Sequence, residues 1–140
     1  MGDRTDTGNW PEWFTDVKMP YVYANNYHTA YTNNIANPGG ENEIIMFKSC
    51  FPNSEVGSSI NDEKAIYNSL KPYFAAHPDK LFVLITPPGE TNVASYQLTR
   101  ELCNWLVDGE NGWLKGYTGK NVFAFDLYGL LSEVNSHHRY

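Results

Sequence analysis

Three short apolar runs stand out along the chain: Glu43-Ile-Ile-Met-Phe-Lys48, Leu81-Phe-Val-Leu-Ile-Thr86 and Asn121-Val-Phe-Ala-Phe-Asp126. Continuous apolar runs of this length, bounded by turn residues, read as strands buried on both faces, as in a parallel sheet. The turn residues are plain. Asn37-Pro-Gly-Gly-Glu-Asn42 precedes the first run, and Pro87-Pro88-Gly89 stops the second. Between the runs the apolar period changes from continuous to helical. Ala65, Ile66, Leu70, Tyr73 and Phe74 fall on one stripe, which predicts a helix from an Asn61 or Asp62 cap to about Ala76. Pro72 is expected to kink it or end it early. Leu98, Leu102, Trp105 and Leu106 predict a second helix from about Ser95 to Val107, and Leu127 to Glu133 reads as a third.

The order strand, helix, strand, helix, strand makes two βαβ units. Right-handed crossovers turn these into an α/β domain, a parallel sheet with helices packed on both faces. A chain of 140 residues holds one such domain and no second core. Residues 43–128 are the expected βαβαβ core, and 1–42 an irregular, aromatic-rich N-terminal region. In that region Trp10-Pro-Glu-Trp-Phe14 can open a short helix with Pro11 at its first position. Ligands of parallel sheets bind beyond the carboxyl ends of the strands. Here those ends lead into Lys48–Gly57, Thr86–Thr91 and Asp126–Tyr128.

Composition changes this picture in two ways. Hydrophobic residues at 41% and charged residues at 19% belong to a globular chain. The net charge of −6, with ten scattered Lys and Arg, argues against a nucleic-acid partner, which needs clustered basic residues. The apolar runs are far too short to span a bilayer, so no membrane partner is expected. No apolar segment follows Met1 in the manner of a signal peptide. Tyr, Trp and Phe are frequent and mix with Asn, Gly and Thr in the first forty residues, a composition common on extracellular and carbohydrate-facing surfaces.

Candidate chemistry gathers at the strand ends. The Asn53 amide, after the first strand, can donate to a developing oxyanion, although Asn after Pro52 also shapes turns. Ser49, Ser54, Thr86 and Asp126 are the other candidate binding residues of that rim. Asp126 serves equally well as the cap of the helix that follows. Cys50 and Cys103 read as two separate half-buried thiols, with a single bridge between them as the other reading, and no Cys-x-x-Cys pair points to zinc. The histidines, His28, His77, His137 and His138, form no ligand spacing, so no metal and no cofactor is expected. No Gly-x-Ser-x-Gly elbow is present.

Three blocks together resemble a known pattern. Ile44-Ile-Met-Phe-Lys-Ser-Cys-Phe-Pro-Asn-Ser54, Leu81-Phe-Val-Leu-Ile-Thr-Pro-Pro88 and Asn121-Val-Phe-Ala-Phe-Asp-Leu-Tyr128 resemble the central strands of SGNH (GDSL-like) hydrolases, with Arg100-Glu-Leu-Cys-Asn-Trp-Leu106 as the intervening helix. The match covers about residues 43–128. It implies a flavodoxin-like three-layer fold, incomplete here, and ester or acyl-group hydrolysis by a Ser nucleophile and a His base. Only Asn53 finds a counterpart among that family's working residues: its Gly-x-Asn-Asp block is here Phe51-Pro-Asn-Ser54. The Gly-Asp-Ser nucleophile block and the Asp-x-x-His block are not present.

The resemblance implies a fragment or a degenerate member of that esterase superfamily, acting on an ester such as an acylated carbohydrate, bacterial and secreted or displayed at the cell surface. The alternative is a non-catalytic extracellular module for binding or self-assembly. Without the strand that carries the nucleophile, a sheet edge is left open, and self-association through it is expected.

Overall fold

The computed structural model describes residues 7–19, 40–49, 59–89 and 96–133. A 3-10 turn, Thr7–Asn9, runs into α1, Trp10–Trp13. β1 is Ile44–Phe47, α2 Asn61–Ser69, α3 Lys71–Ala76, β2 Leu81–Ile85, α4 Tyr96–Val107, β3 Val122–Phe125 and α5 Leu127–Leu131. The three strands form one parallel sheet in the order β1-β2-β3. This is the expected α/β class, with all three strands where the apolar runs place them.

Pro72 divides the first crossover helix as its chemistry requires. It has no N–H to donate to the Asn68 carbonyl, and its ring crowds that carbonyl. The helix stops at Ser69, Leu70 bridges, and Pro72 sits in the first turn of α3. The start of α2 differs from expectation. Neither Asn61 nor Asp62 caps it. The N-cap is Ile60, without a side-chain bond, and the Asn61 N–H donates to Ser59 Oγ at 3.2 Å.

One face of the sheet carries the core. Alternation points Ile45, Phe47, Phe82, Leu84 and Val122 inward. Tyr67 of α2, Phe74 of α3, and Leu102 and Leu106 of α4 join them in a single cluster. The N-terminal segment contributes Trp10 and Phe14. The Trp10 ring meets Phe47 and Tyr67 edge-on at 5.3 and 5.2 Å, and Phe14 packs against Phe47, Phe74 and Phe82. These two aromatics therefore belong to the interior rather than to a sugar-facing surface. Trp113 is fully buried beside Tyr67, and its indole N–H donates to the Tyr67 carbonyl at 2.8 Å.

The other face is different. Ile44, Met46, Phe123 and Phe125 are 63%, 55%, 61% and 48% exposed. Strand pairing sets them in rows with Leu81, Val83 and Ile85, which are half-buried. β1 and β3 thus depart from the expectation of burial on both sides. The cause is topological. When strand order advances in one direction only, right-handed crossovers put successive helices on the same face. Both crossovers here advance that way, and α1 to α4 all pack into the one cluster.

Candidate functional site

Strand register brings three of the predicted site residues into line. Phe47 pairs with Leu84, and Ile85 with Phe125. Extended past the strand ends, that pairing places Ser49, Thr86 and Asp126 in one row across the carboxyl rim. All three continue the inward-facing alternation of their strands. Asn53 and Ser54, like Cys50, His28, His137 and His138, lie outside the described residues.

Two of the three, Thr86 and Asp126, are engaged in holding the rim together. Ser49 and Thr86 are buried. The Thr86 hydroxyl accepts the Tyr128 N–H at 2.8 Å and points toward Asp126 Oδ1 at 3.5 Å. Asp126 caps α5, accepting the Gly129 N–H at 2.8 Å. The Lys48 ammonium donates to the Ser49 carbonyl at 3.1 Å. Thr86 and Asp126 together fasten the end of β2 to the start of α5.

Helix α4 lays Arg100 and Cys103 beside this row. The Arg100 guanidinium stands 5.2 Å from the Tyr128 ring centre and donates to Ser132 Oγ and the Glu133 carbonyl. Cys103 is a free, buried thiol. Burial pushes its pKa far up, and the Asp126 carboxylate adds to the shift, against a smaller opposing pull from Arg100. A thiolate nucleophile needs the opposite environment. Cys103 is thus the packed thiol that the sequence predicts.

The one described histidine lies at the other end of the sheet. His77 precedes β2, hydrogen-bonds Asp16 Oδ1 at 2.9 Å and stacks on Tyr73 at 4.3 Å between ring centres. Among the described residues no histidine lies at this rim, and no group of three His, Cys, Asp or Glu is placed to hold a metal ion. No described helix is long and apolar enough to cross a membrane.

The amino ends of the strands hold a second cluster, one the sequence reading missed. Asn121 opens β3. Its amide donates to the carbonyls of Phe74 and His77 at 3.0 and 2.9 Å, and its oxygen accepts the Tyr117 hydroxyl at 2.7 Å. These bonds tie the 113–121 loop to the end of α3. A cleft of about 780 Å³ lies between loop and helix, lined by Lys71, Pro72, Lys115, Tyr117 and Lys120 among others. Gly116 takes a left-handed φ of 76°, which turns the loop. A Cβ on Gly119 would stand 2.6 Å from the Tyr117 ring and 2.7 Å from Asn121 Oδ1, so any other residue there would displace the Tyr117–Asn121 pair.

Among the described residues the carboxyl rim, the open apolar face and the lysine-lined cleft are surfaces on which a function can rest. Comparison of the chain with protein-family models, with curated proteins and with solved structures finds no match.

Proposed function

We propose that the chain is a non-catalytic assembly module on an SGNH-like α/β scaffold, and that its open sheet face docks on the same face of a second copy. One observation carries this reading: seven apolar side chains, Ile44, Met46, Leu81, Val83, Ile85, Phe123 and Phe125, form rows on a parallel sheet whose helices pack on the opposite face. Parallel sheets are otherwise covered on both faces. Four large side chains about half exposed or more present a patch on the order of a few hundred Å², the size of the largest and often functional patch on a typical monomer.

A second copy suits this patch. An apolar face with no charged position in its rows is self-complementary under a two-fold axis, as an isologous interface requires. Its area also falls short of the roughly 800 Å² per partner of a stable complex. The expected dimer is accordingly weak and concentration-dependent. The engagement of Thr86 and Asp126 in holding the rim supports the non-catalytic half of the reading.

Sedimentation of the full chain over a wide concentration range tests it. Monomer and dimer should exchange, and Phe123→Ser with Phe125→Ser should leave monomer alone, with an unchanged circular dichroism spectrum. A wild-type monomer at every concentration would sink the proposal, as would a dimer that survives both substitutions, since that dimer pairs through a sheet edge. An adduct with a fluorophosphonate probe, read by intact mass, would instead favour an SGNH-type esterase.

A further inference from the structure

We propose that the cleft between α3 and the 113–121 loop binds a small multivalent anion, a polyphosphate or phosphate ester. This inference is independent of the assembly reading, since the cleft lies at the amino ends of the strands and off the open sheet face.

The first support is charge segregation. The chain carries 16 acidic and 10 basic residues, yet three of the ten, Lys71, Lys115 and Lys120, line this one cleft, and no lining residue is acidic. None of the three forms an ion pair among the described residues. Lys71 donates to the Trp113 carbonyl at 2.6 Å and Lys115 to Asn111 Oδ1 at 3.1 Å, both neutral acceptors. An ammonium has three donors, so each keeps hydrogen-bonding capacity to spare. The one carboxylate that Lys115 influences is Asp108, which is held by the N–H groups of Glu110 and Asn111 at 2.8 and 3.0 Å.

The second support is the loop itself. The stretch Lys115-Gly-Tyr-Thr-Gly-Lys120 is fixed at both ends, by Lys115 N–H to the Gly112 carbonyl and by the Tyr117–Asn121 bond. Between those anchors the N–H groups of Thr118, Gly119 and Lys120 donate to no acceptor among the described residues. Backbone donors beside ammonium groups make an anion-binding concavity. The third is a local cost that an anion relieves. Burial pushes the Lys71 pKa down, meaning that its ammonium is partly stripped of water without an opposing charge.

The shape selects among anions. Lysine meets phosphate as a point charge with rotatable donors, and three lysines suit a ligand with more than one negative centre. The volume lies within the range of small-molecule sites. Pro72, Ala75 and Pro78 supply an apolar wall against which the uncharged part of a phosphate ester can rest.

The test is titration of the full chain with inorganic tripolyphosphate, followed by amide chemical shifts. Saturable shifts confined to the 113–121 loop and the end of α3 are expected, weakening as salt is raised. Lys115→Ala with Lys120→Ala, both exposed positions, should weaken binding about tenfold, two surface charge contacts being removed. Lys64→Ala, outside the cleft, should leave it unchanged. Absence of saturable shifts in the wild type would overturn the proposal, and so would equal affinity in the double variant and the wild type.

Discussion

Glu63 shows most clearly how a single residue sets a property of this chain. It sits in the first turn of α2 with its side chain turned inward. Thr7 donates to Oε1 at 3.0 Å, and Oε2 has no partner among the described residues. Desolvation raises its pKa above the usual carboxylate range, Asp62 adds to the rise, and the Thr7 bond offsets part of it. The folded state therefore holds this proton more tightly than the unfolded chain does. Stability falls as pH rises from the ordinary carboxylate value to the raised folded one, and stays lower above it. Glu63→Gln should flatten this dependence and stabilise the fold at neutral pH. Urea denaturation across that window checks it; a variant with the wild-type pH profile would dismiss the account. Nothing in the sequence flags this residue, because its partner lies 56 positions away. The rim residues were legible for the opposite reason. Ser49, Thr86 and Asp126 end apolar runs, and strand ends in a parallel sheet define the rim. The Asp126 cap was legible too, from the helix that follows it, but the partner of the buried Thr86 hydroxyl lies 42 positions away and spacing does not disclose it.

At the scale of elements, local chemistry was a good guide wherever it acts within a turn or two. Pro72 splits α2 from α3, Pro11 falls in the first turn of α1, one position later than expected, and the three apolar runs become the three strands. Pro72→Ala is expected to join the two helices with a change in stability under about 1 kcal/mol. The regained helix hydrogen bond and the extra freedom given to the unfolded chain oppose each other. Circular dichroism would show the added helix, and a loss of several kcal/mol by denaturation would contradict this. What the runs could not disclose was which strand faces are covered. A fully apolar strand reads identically whether helices lie on one side or two, and only the advance of strand order decides it. The cleft was hidden in a related way. Lys71, Lys115 and Lys120 are separated in the chain and meet because α3 and the loop before β3 end at the same edge of the sheet. The one available signal was the pair of lysines bracketing Gly116 and Gly119.

For the molecule as a whole, the asymmetry of the sheet matters most. One face holds an aromatic core that recruits the N-terminal segment through Trp10 and Phe14, and the other is apolar and open. The two surfaces proposed for binding are thus physically separate. Substitutions at Phe123 and Phe125 should leave anion binding intact, and those at Lys115 and Lys120 should leave self-association intact.

The central position of β2 also bears on how the chain folds. Among the described strands it alone is paired on both sides, with β1 on one edge and β3 on the other. Each pairing closes a loop over a single crossover, so neither half of the sheet has to wait for the other. The entropy of closing both loops is nevertheless spent on the same five residues, Leu81–Ile85. The rate-limiting step should therefore be the arrival of β2 against whichever crossover is already in place. Conservative truncations such as Leu84→Ala should slow folding nearly in proportion to the stability they remove. Equivalent changes in β1 or β3 should act mainly by hastening unfolding. Stopped-flow kinetics with φ-values near zero in β2 would refute that order of events.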